Sequence, residues 1–251
     1  MLTARSRHLA AVAVLMASCA ALQASEDSIP PTSLSALQIV DQIRIHDKVR
    51  TEELKRYTAL RHYTVEYNGF STKLTATMDV EVVYDAASGK KFKIVSESGS
   101  KFLCDKVLKR AVESEEEAAQ EKASTALTPA NYTFQLDGSD TVGGRPAFVL
   151  DVVPVSPSKF LYRGKIWVDM ADFAVVKIDA EPAKNPSIWI SRTEIRFTSI
   201  KTGDFWLPDQ NRSETKVRIG GTAVLTIRYG PYQFEPTTAG TAASTTVTVN
   251  R

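Results

Sequence analysis

Apolar and polar residues alternate at every second position through most of this chain, and this pattern constrains the fold more than any other feature. The clearest run covers residues 74–84, where apolar side chains from Leu74 to Tyr84 alternate mainly with threonines and acids. Residues 164–169 and 173–178 repeat the pattern on either side of a three-residue connection. Such alternation is typical of antiparallel strands that bury one face and expose the other. The chain is therefore predicted to form a long antiparallel meander.

Two amphipathic helices are predicted beside the first strands. Ser35 and Gln38 have the spacing of a capping box, and an apolar stripe at helical spacing follows them. Gly99-Ser100 precedes a second stripe, formed by Leu103, Cys104, Val107, Leu108, Ala111 and Ala118. The acids of residues 113–117 are typical of a solvated helix face, although Glu115 falls on the apolar stripe.

The fold class that follows is α+β, because a long sheet with an apolar face must close or be covered. We expect a strongly curved antiparallel sheet, an incomplete β-barrel, with the two amphipathic helices covering its concave face. One domain is expected over residues 25–235, preceded by a signal peptide over 1–24 and followed by a disordered tail over 236–251, which is rich in Thr, Ala and Ser.

The N-terminal residues have the pattern of an export signal. Arg5 and Arg7 precede an apolar run over 9–17, which small residues follow. This run is too short for a membrane span, which needs about 20 apolar residues. Cleavage after Ala24 predicts a soluble periplasmic protein, whereas residues 16–19 resemble a lipobox, which predicts an outer-membrane lipoprotein with a lipidated Cys19. Both interpretations remain open.

Charge argues against a nucleic-acid partner. Loss of residues 1–24 removes two of the 31 bases and none of the 29 acids, so the mature chain is close to neutral. If Cys19 leaves with the signal, Cys104 has no disulfide partner and is expected to be a small buried hydrophobic residue.

No motif indicates catalysis. The mature chain has two histidines, His46 and His62, which are predicted on different elements. It has no Gly-x-Ser-x-Gly elbow, no phosphate-binding glycine loop and no zinc-ligand spacing. Asp169 and Asp172 flank a turn, where acids commonly accept backbone donors. We expect no enzyme activity, no catalytic residue, no metal site and no cofactor.

The apolar side chains that share the concave face are the candidate binding site. Two helices do not fill so wide a concavity, and an unfilled apolar concavity suits a lipid or acyl chain. The predicted lining consists of the strand residues Met78, Val80, Val82, Phe92, Ile94, Phe148, Leu150, Ile166, Val168, Val176, Ile178, Ile195, Phe197, Val217, Leu225 and Ile227, and of the helix residues Leu103, Val107 and Leu108.

Three segments resemble the bacterial LolA/LolB-like superfamily of outer-membrane lipoprotein carriers and sorting proteins. They are residues 144–152, 162–169 and 174–178. In that family a strand ending in Trp-(Ile/Val)-Asp precedes a turn and a strand with a central basic residue, which Trp167, Asp169 and Lys177 match. The likeness covers roughly residues 33–235, and it implies an incomplete barrel with a helical lid. These motifs are structural, so no lipoprotein-handling residue is carried over.

The resemblance implies an envelope protein that binds a lipid, a lipoprotein acyl chain or another apolar ligand. It supports this binding rather than lipoprotein shuttling as such, and lipoprotein sorting or transport is one process in which such binding would serve. The alternative is a non-enzymatic envelope sensor or scaffold that binds a protein partner and has its cavity packed as core. Expected partners are a lipid or acyl chain, an envelope protein and a membrane surface in peripheral contact. The chain is expected to be a monomer.

Overall fold

The computed structural model describes residues 34–158, 160–185, 188–218 and 220–234. The predictions for residues 1–24, for Cys19 and for residues 236–251 lie outside these residues. Within them, no helix is both long enough and apolar enough to cross a membrane. The chain folds as α+β, as predicted.

In the part of the chain that the structure describes, ten antiparallel strands form one sheet in the order β3-β2-β1-β10-β9-β8-β7-β6-β5-β4. Their bounds are β1 Arg56–Asn68, β2 Lys73–Asp85, β3 Gly89–Gly99, β4 Tyr132–Val142, β5 Arg145–Pro154, β6 Tyr162–Asp169, β7 Val175–Pro182, β8 Ile190–Thr202, β9 Phe205–Val217 and β10 Thr222–Phe234. Every pairing joins strands that are consecutive in the chain except β1 with β10, whose register runs from Tyr57 opposite Phe234 to Asn68 opposite Thr222. This long-range pairing unites a three-stranded and a seven-stranded meander.

The sheet is neither closed nor strongly curled, which corrects the prediction of a strongly curved incomplete barrel. Its edge strands, β3 and β4, lie at opposite ends of the strand order and do not pair with each other. Helices cover the apolar face instead, so the sheet buries that face without bending back on itself.

Each helical segment covers a different part of the sheet. Helix α1, Ala36–Glu53, begins with the predicted capping box of Ser35 and Gln38 and packs on β4 to β7. Helix α2, Lys101–Leu103, is capped by Ser100. It continues through a π-helical segment, Cys104–Leu108, into α3, Lys109–Gln120, which a short α4, Lys122–Thr125, follows. The α2–α3 segment packs on β1, β2 and β10.

The alternation in β2 is confirmed by the burial of its side chains. Met78, Val80 and Val82 are fully buried beneath the α2–α3 segment, whereas Asp79 and Glu81 face away from it. We call the helix-covered surface the inner face and the opposite surface the outer face. Cys104 is a free, buried cysteine, as expected.

Candidate functional site

The two helical covers leave a gap over the middle of the inner face. The core beneath α1 combines Ile39, Val40 and Ile43 with side chains of β4 to β7. The core beneath the α2–α3 segment uses β1, β2, β3 and β10. Neither cluster contains a described residue of β8 or β9. The inner face of these two strands therefore forms the floor of an open groove.

This groove has a cavity volume of about 420 Å³, within the range of about 300–1,000 Å³ that is usual for small-molecule sites. Strand β10 and the edge of α3 form one wall, and β8 and the end of β7 lie on the other side. Its lining is Ala111, Ser114, Glu115, Pro182, Ile190, Thr193, Ile195, Asn211, Ser213, Thr215, Leu225, Ile227 and Tyr229. Glu115 is the one charged residue in that set, so the groove is predominantly uncharged.

Strand β9 explains why this part of the sheet remains open. Its inner-face residues Asn211, Ser213 and Thr215 are small or polar, so they offer little apolar surface for a helix to cover. The Thr215 hydroxyl lies 3.0 Å from that of Thr193 on β8. Apolar alternation fails in the middle of this strand, yet β9 is continuous from Phe205 to Val217.

A buried ion pair borders the groove. The Arg61 side chain is only 2% exposed, and its Nη1 donates to Oε2 of Glu115 at 2.5 Å. Its guanidinium also lies 4.7 Å from the ring centroid of Tyr229 and 5.3 Å from that of Phe92. Lys90 donates to the other carboxylate oxygen of Glu115 at 3.3 Å. The pair therefore ties the middle of α3 to the inner face of β1.

Electrostatics keep both members of this pair charged. Burial disfavours the carboxylate of Glu115, but the charges and hydrogen bonds of Arg61 and Lys90 outweigh burial and lower the pKa of Glu115. Burial likewise opposes the charge of Arg61, and Glu115 overcomes it and raises the pKa of the guanidinium. Burial raises the pKa of nearby Tyr57 to about 12. At neutral pH the tyrosine hydroxyl is neutral and the pair is ionised.

The structure does not bring the predicted lining residues together in one place. The set in or against the core under α2–α3 is Met78, Val80, Val82, Phe92, Leu103, Val107, Leu108, Leu225 and Ile227. The set in or against the core under α1 is Phe148, Leu150, Ile166, Val168 and Ile178. Three of the predicted residues line the groove itself, namely Ile195, Leu225 and Ile227. Phe197 and Val217 are partly buried, and Ile94 is 41% exposed on edge strand β3.

Val176 is not brought together with Ile178, although the two were predicted to share a face. The β6–β7 register shifts between Trp167 and Val168. This bulge places Val175 in the core under α1 and Val176 with Trp167 in a separate outer-face cluster. One extra residue on a strand reverses the alternation beyond it, so period-two reasoning fails at this point.

Among the residues of this site that the sequence reasoning missed, Arg61 is one that its pattern could have placed. It occupies the same alternating set as Tyr63 and Val65, and that position should have placed it on the inner face. Glu115 interrupts the apolar stripe of its helix, and this was the matching signal. A buried base and an acid on an apolar stripe together indicate a buried pair, but their separation of 54 residues hides it from local patterns.

The Asp169 and Asp172 turn is structural. The Asp169 carboxylate accepts hydrogen bonds from the backbone N–H groups of Ala171 and Asp172 at 3.0 and 2.8 Å, as predicted. Arg145 binds both of its oxygens, at 2.5 and 2.8 Å. The motif that resembles the family thus secures a hairpin and lies outside the groove lining. No cluster of His, Cys, Asp or Glu able to hold a metal occurs among the described residues.

Comparison with known proteins finds likeness in solved structures alone. The chain matches no protein-family model and no curated protein. A DUF1329 family protein from Desulfovibrio piger is 14% identical with a TM-score of 0.42, over 81% of this chain and 95% of that one. A LolA superfamily protein from Nitrosomonas europaea is 12% identical with a TM-score of 0.36, over 81% and 94%.

A third similar structure is a putative outer membrane lipoprotein-sorting protein domain from Vibrio parahaemolyticus. It is 11% identical with a TM-score of 0.39, and the match covers 79% of this chain and 92% of that one. These structures include the superfamily that the sequence motifs resemble. At such low identity the likeness concerns the fold alone.

Proposed function

We propose that this protein is a non-enzymatic envelope protein that binds an acyl chain of a lipid or a lipoprotein in the inner-face groove. The observation that carries the proposal is the gap between the two helical covers, which leaves a cavity of about 420 Å³ over β8 and β9. A role in lipoprotein sorting or transport is the physiological form that this proposal takes.

The chemistry of the groove supports a chain with a polar end. Ile195, Leu225 and Ile227 supply apolar contacts on both sides of the floor. The side chains of Asn211 and Ser213 line the groove floor, where an amide and a hydroxyl can pair with an ester or an amide of a ligand. Binding would be driven by removal of apolar surface from water, at about 25 cal/mol per Å².

The groove rather than the whole concavity is the proposed site. Met78, Val80 and Leu108 are fully buried beneath the helix, so the predicted lining there serves as core. The alternative hypothesis, a scaffold whose cavity is packed, therefore describes the two helix-covered regions well. The open floor of β8 and β9 is the region where the two hypotheses differ.

A fluorescence titration tests the proposal. The full chain is titrated with a dansyl-labelled fatty acid, and unlabelled palmitate is added as competitor. Leu225→Trp places a large ring in the groove and is expected to weaken binding at least tenfold. The matched control is Val224→Trp, because the adjacent residue of β10 lies on the opposite face, in register with Glu66 and Glu214. Ser213→Phe is a second groove-filling variant on β9.

Both groove variants and the control are compared at equal folded fraction, which circular dichroism monitors. The proposal predicts that Leu225→Trp and Ser213→Phe lose affinity and that Val224→Trp retains it. Equal affinity in all three variants, or no displacement by palmitate, would contradict it and favour the packed scaffold. Mass spectrometry of protein purified from its native envelope provides an independent test, because it detects any lipid that co-purifies.

A further inference from the structure

One end of the sheet exposes large apolar side chains that a folded protein ordinarily buries. Phe70 in the β1–β2 turn is 94% exposed, and Ile188 and Trp189 before β8 are 80% and 58% exposed. Phe102 at the start of the α2–α3 segment is 64% exposed. A cluster of such residues at adjacent loop tips marks an interaction surface, whereas scattered single ones do not.

Hydrogen bonds and close packing hold these tips together. The Tyr67 hydroxyl donates to the carbonyl of Gly220 at 3.0 Å, which joins the β1–β2 and β9–β10 turns. The Phe70 ring lies so close to Gly220 that a Cβ there would come within 2.1 Å of it. The backbone N–H of Arg218 donates to the carbonyl of Trp189 at 2.8 Å. The tips are therefore a defined surface built on the paired ends of neighbouring strands.

The charge of this surface has one sign. We define the basic end as residues 67–75, 99–102, 183–185, 188–191, 216–218 and 220–223. These segments contain five basic residues and no acidic residue, and the five are Lys73, Lys101, Lys184, Lys216 and Arg218. The chain as a whole has nearly equal numbers of bases and acids, 31 and 29, so this segregation is local.

We propose that the basic end docks on an anionic lipid surface. Aromatic and aliphatic tips enter the interface between headgroups and acyl chains, and lysines and arginines around them attract anionic headgroups. This arrangement combines the two contributions that reversible membrane attachment requires. A protein partner would also bury exposed aromatic side chains. Asp105, just outside these segments, interacts electrostatically with Lys101, but five bases in segments that contain no acid favour an anionic lipid surface.

Docking of the basic end is a proposal separate from ligand binding in the groove, and the position of the basic end is compatible with that binding. Pro182 and Ile190 line the groove at the strand ends from which the β7–β8 connection leaves. The groove therefore extends to the basic end. An acyl chain that moves between a docked bilayer and the groove would therefore be exposed to water over only a short distance. Docking itself requires no ligand in the groove, so the two proposals can fail separately.

Vesicle co-sedimentation of the full chain tests the docking. Vesicles of phosphatidylcholine mixed with phosphatidylglycerol are compared with vesicles of phosphatidylcholine alone. Preferential binding to the anionic vesicles is expected, and it should weaken as salt is added. Lys73→Glu with Arg218→Glu should lower partitioning about fivefold or more for each basic residue removed. Phe70→Ser with Ile188→Ser should lower it on both vesicle types.

Two control variants lie away from the basic end. Lys48→Glu removes an exposed base of α1, and Ile200→Ser removes an apolar side chain that is 47% exposed on β8. Every variant keeps residues 1–33, so any contribution from that segment cancels in the comparison. The proposal predicts that both controls bind like the unmodified chain. Equal partitioning of the basic-end variants and the controls would overturn it.

Fluorescence quenching locates the contact. Trp189 is 58% exposed, whereas Trp167 is 7% exposed. Brominated lipid in anionic vesicles should quench part of the tryptophan emission. This quenched part should be absent from the emission of Trp189→Phe. Quenching that survives Trp189→Phe unchanged, or no quenching at all, would contradict docking through this end. If this surface bound a protein partner instead of lipid, no quenching would be observed.

Discussion

Removing the acid of the buried ion pair should destabilise the fold strongly. The change is Glu115→Gln, which keeps the size of the side chain and removes its charge. Arg61 is 2% exposed, and Glu115 is the acidic side chain within salt-bridge distance of it among the described residues. The variant would leave a buried guanidinium without a counter-charge. Breaking a buried pair in this way costs about 3–5 kcal/mol.

We expect the lower part of this range. The Glu115 side chain is 26% exposed and the Lys90 side chain 29%, so solvent partly screens the carboxylate. A loss of about 3 kcal/mol corresponds to a fall of about 6–12 °C in Tm for a domain of this size. Thermal and urea unfolding, followed by circular dichroism at pH 7, measure the loss.

Two further variants isolate the cause. Glu116→Gln removes an exposed acid one residue along the helix and should stay within about 0.5 kcal/mol of the unmodified chain. Arg61→Met with Glu115→Leu replaces the pair by apolar side chains and should recover most of the loss, because desolvation of the charges is avoided. Equal stability of Glu115→Gln and Glu116→Gln would refute the reasoning.

Two other predictions concern pH and the register of β2. The folded-state pKa of Glu115 is below its ordinary value of 4.5. The stabilising contribution of Glu115 is therefore fully present above pH 4.5 and is lost as the pH falls through the lower folded-state pKa. The free energy of unfolding, measured between neutral and acidic pH, should show this loss in the unmodified chain and a smaller loss in Glu115→Gln. Val80→Asp should cost about 3–5 kcal/mol because Val80 is fully buried, whereas Asp79→Ala should stay within about 1 kcal/mol because Asp79 is partly exposed. If urea unfolding ranks these two variants in the opposite order, the register of β2 is wrong.

Local patterns predicted local structure well. The capping box at Ser35 and the cap at Ser100 place the helix starts, and the alternation in residues 74–84 assigns the faces of β2. The pairing of β1 with β10 joins residues more than 150 positions apart, and no local pattern encodes it. The absence of strong curling in the sheet also depends on where the two helices pack, which the sequence pattern does not specify.

The candidate site was predicted less completely than the fold. Period-two reasoning identified Ile195, Leu225 and Ile227, which line the groove. It did not identify Asn211 and Ser213, because it considered apolar residues only. The groove lies over the middle of β9, where the inner-face residues are small or polar. The bulge between β6 and β7, whose extra residue lies on β7, reversed the assignment of Val176. A gap between two helices is a property of packing, so it becomes visible only in three dimensions.

Hydrogen exchange with and without saturating palmitate tests the central claim most directly. The groove lies between the inner face of β8 to β10 and the edge of α3, which contributes Ala111, Ser114 and Glu115. Binding should therefore slow exchange in α3 and around Leu225 and Ile227, and leave α1 unchanged. Unchanged exchange throughout α3 and β8 to β10, or protection confined to α1, would contradict the account.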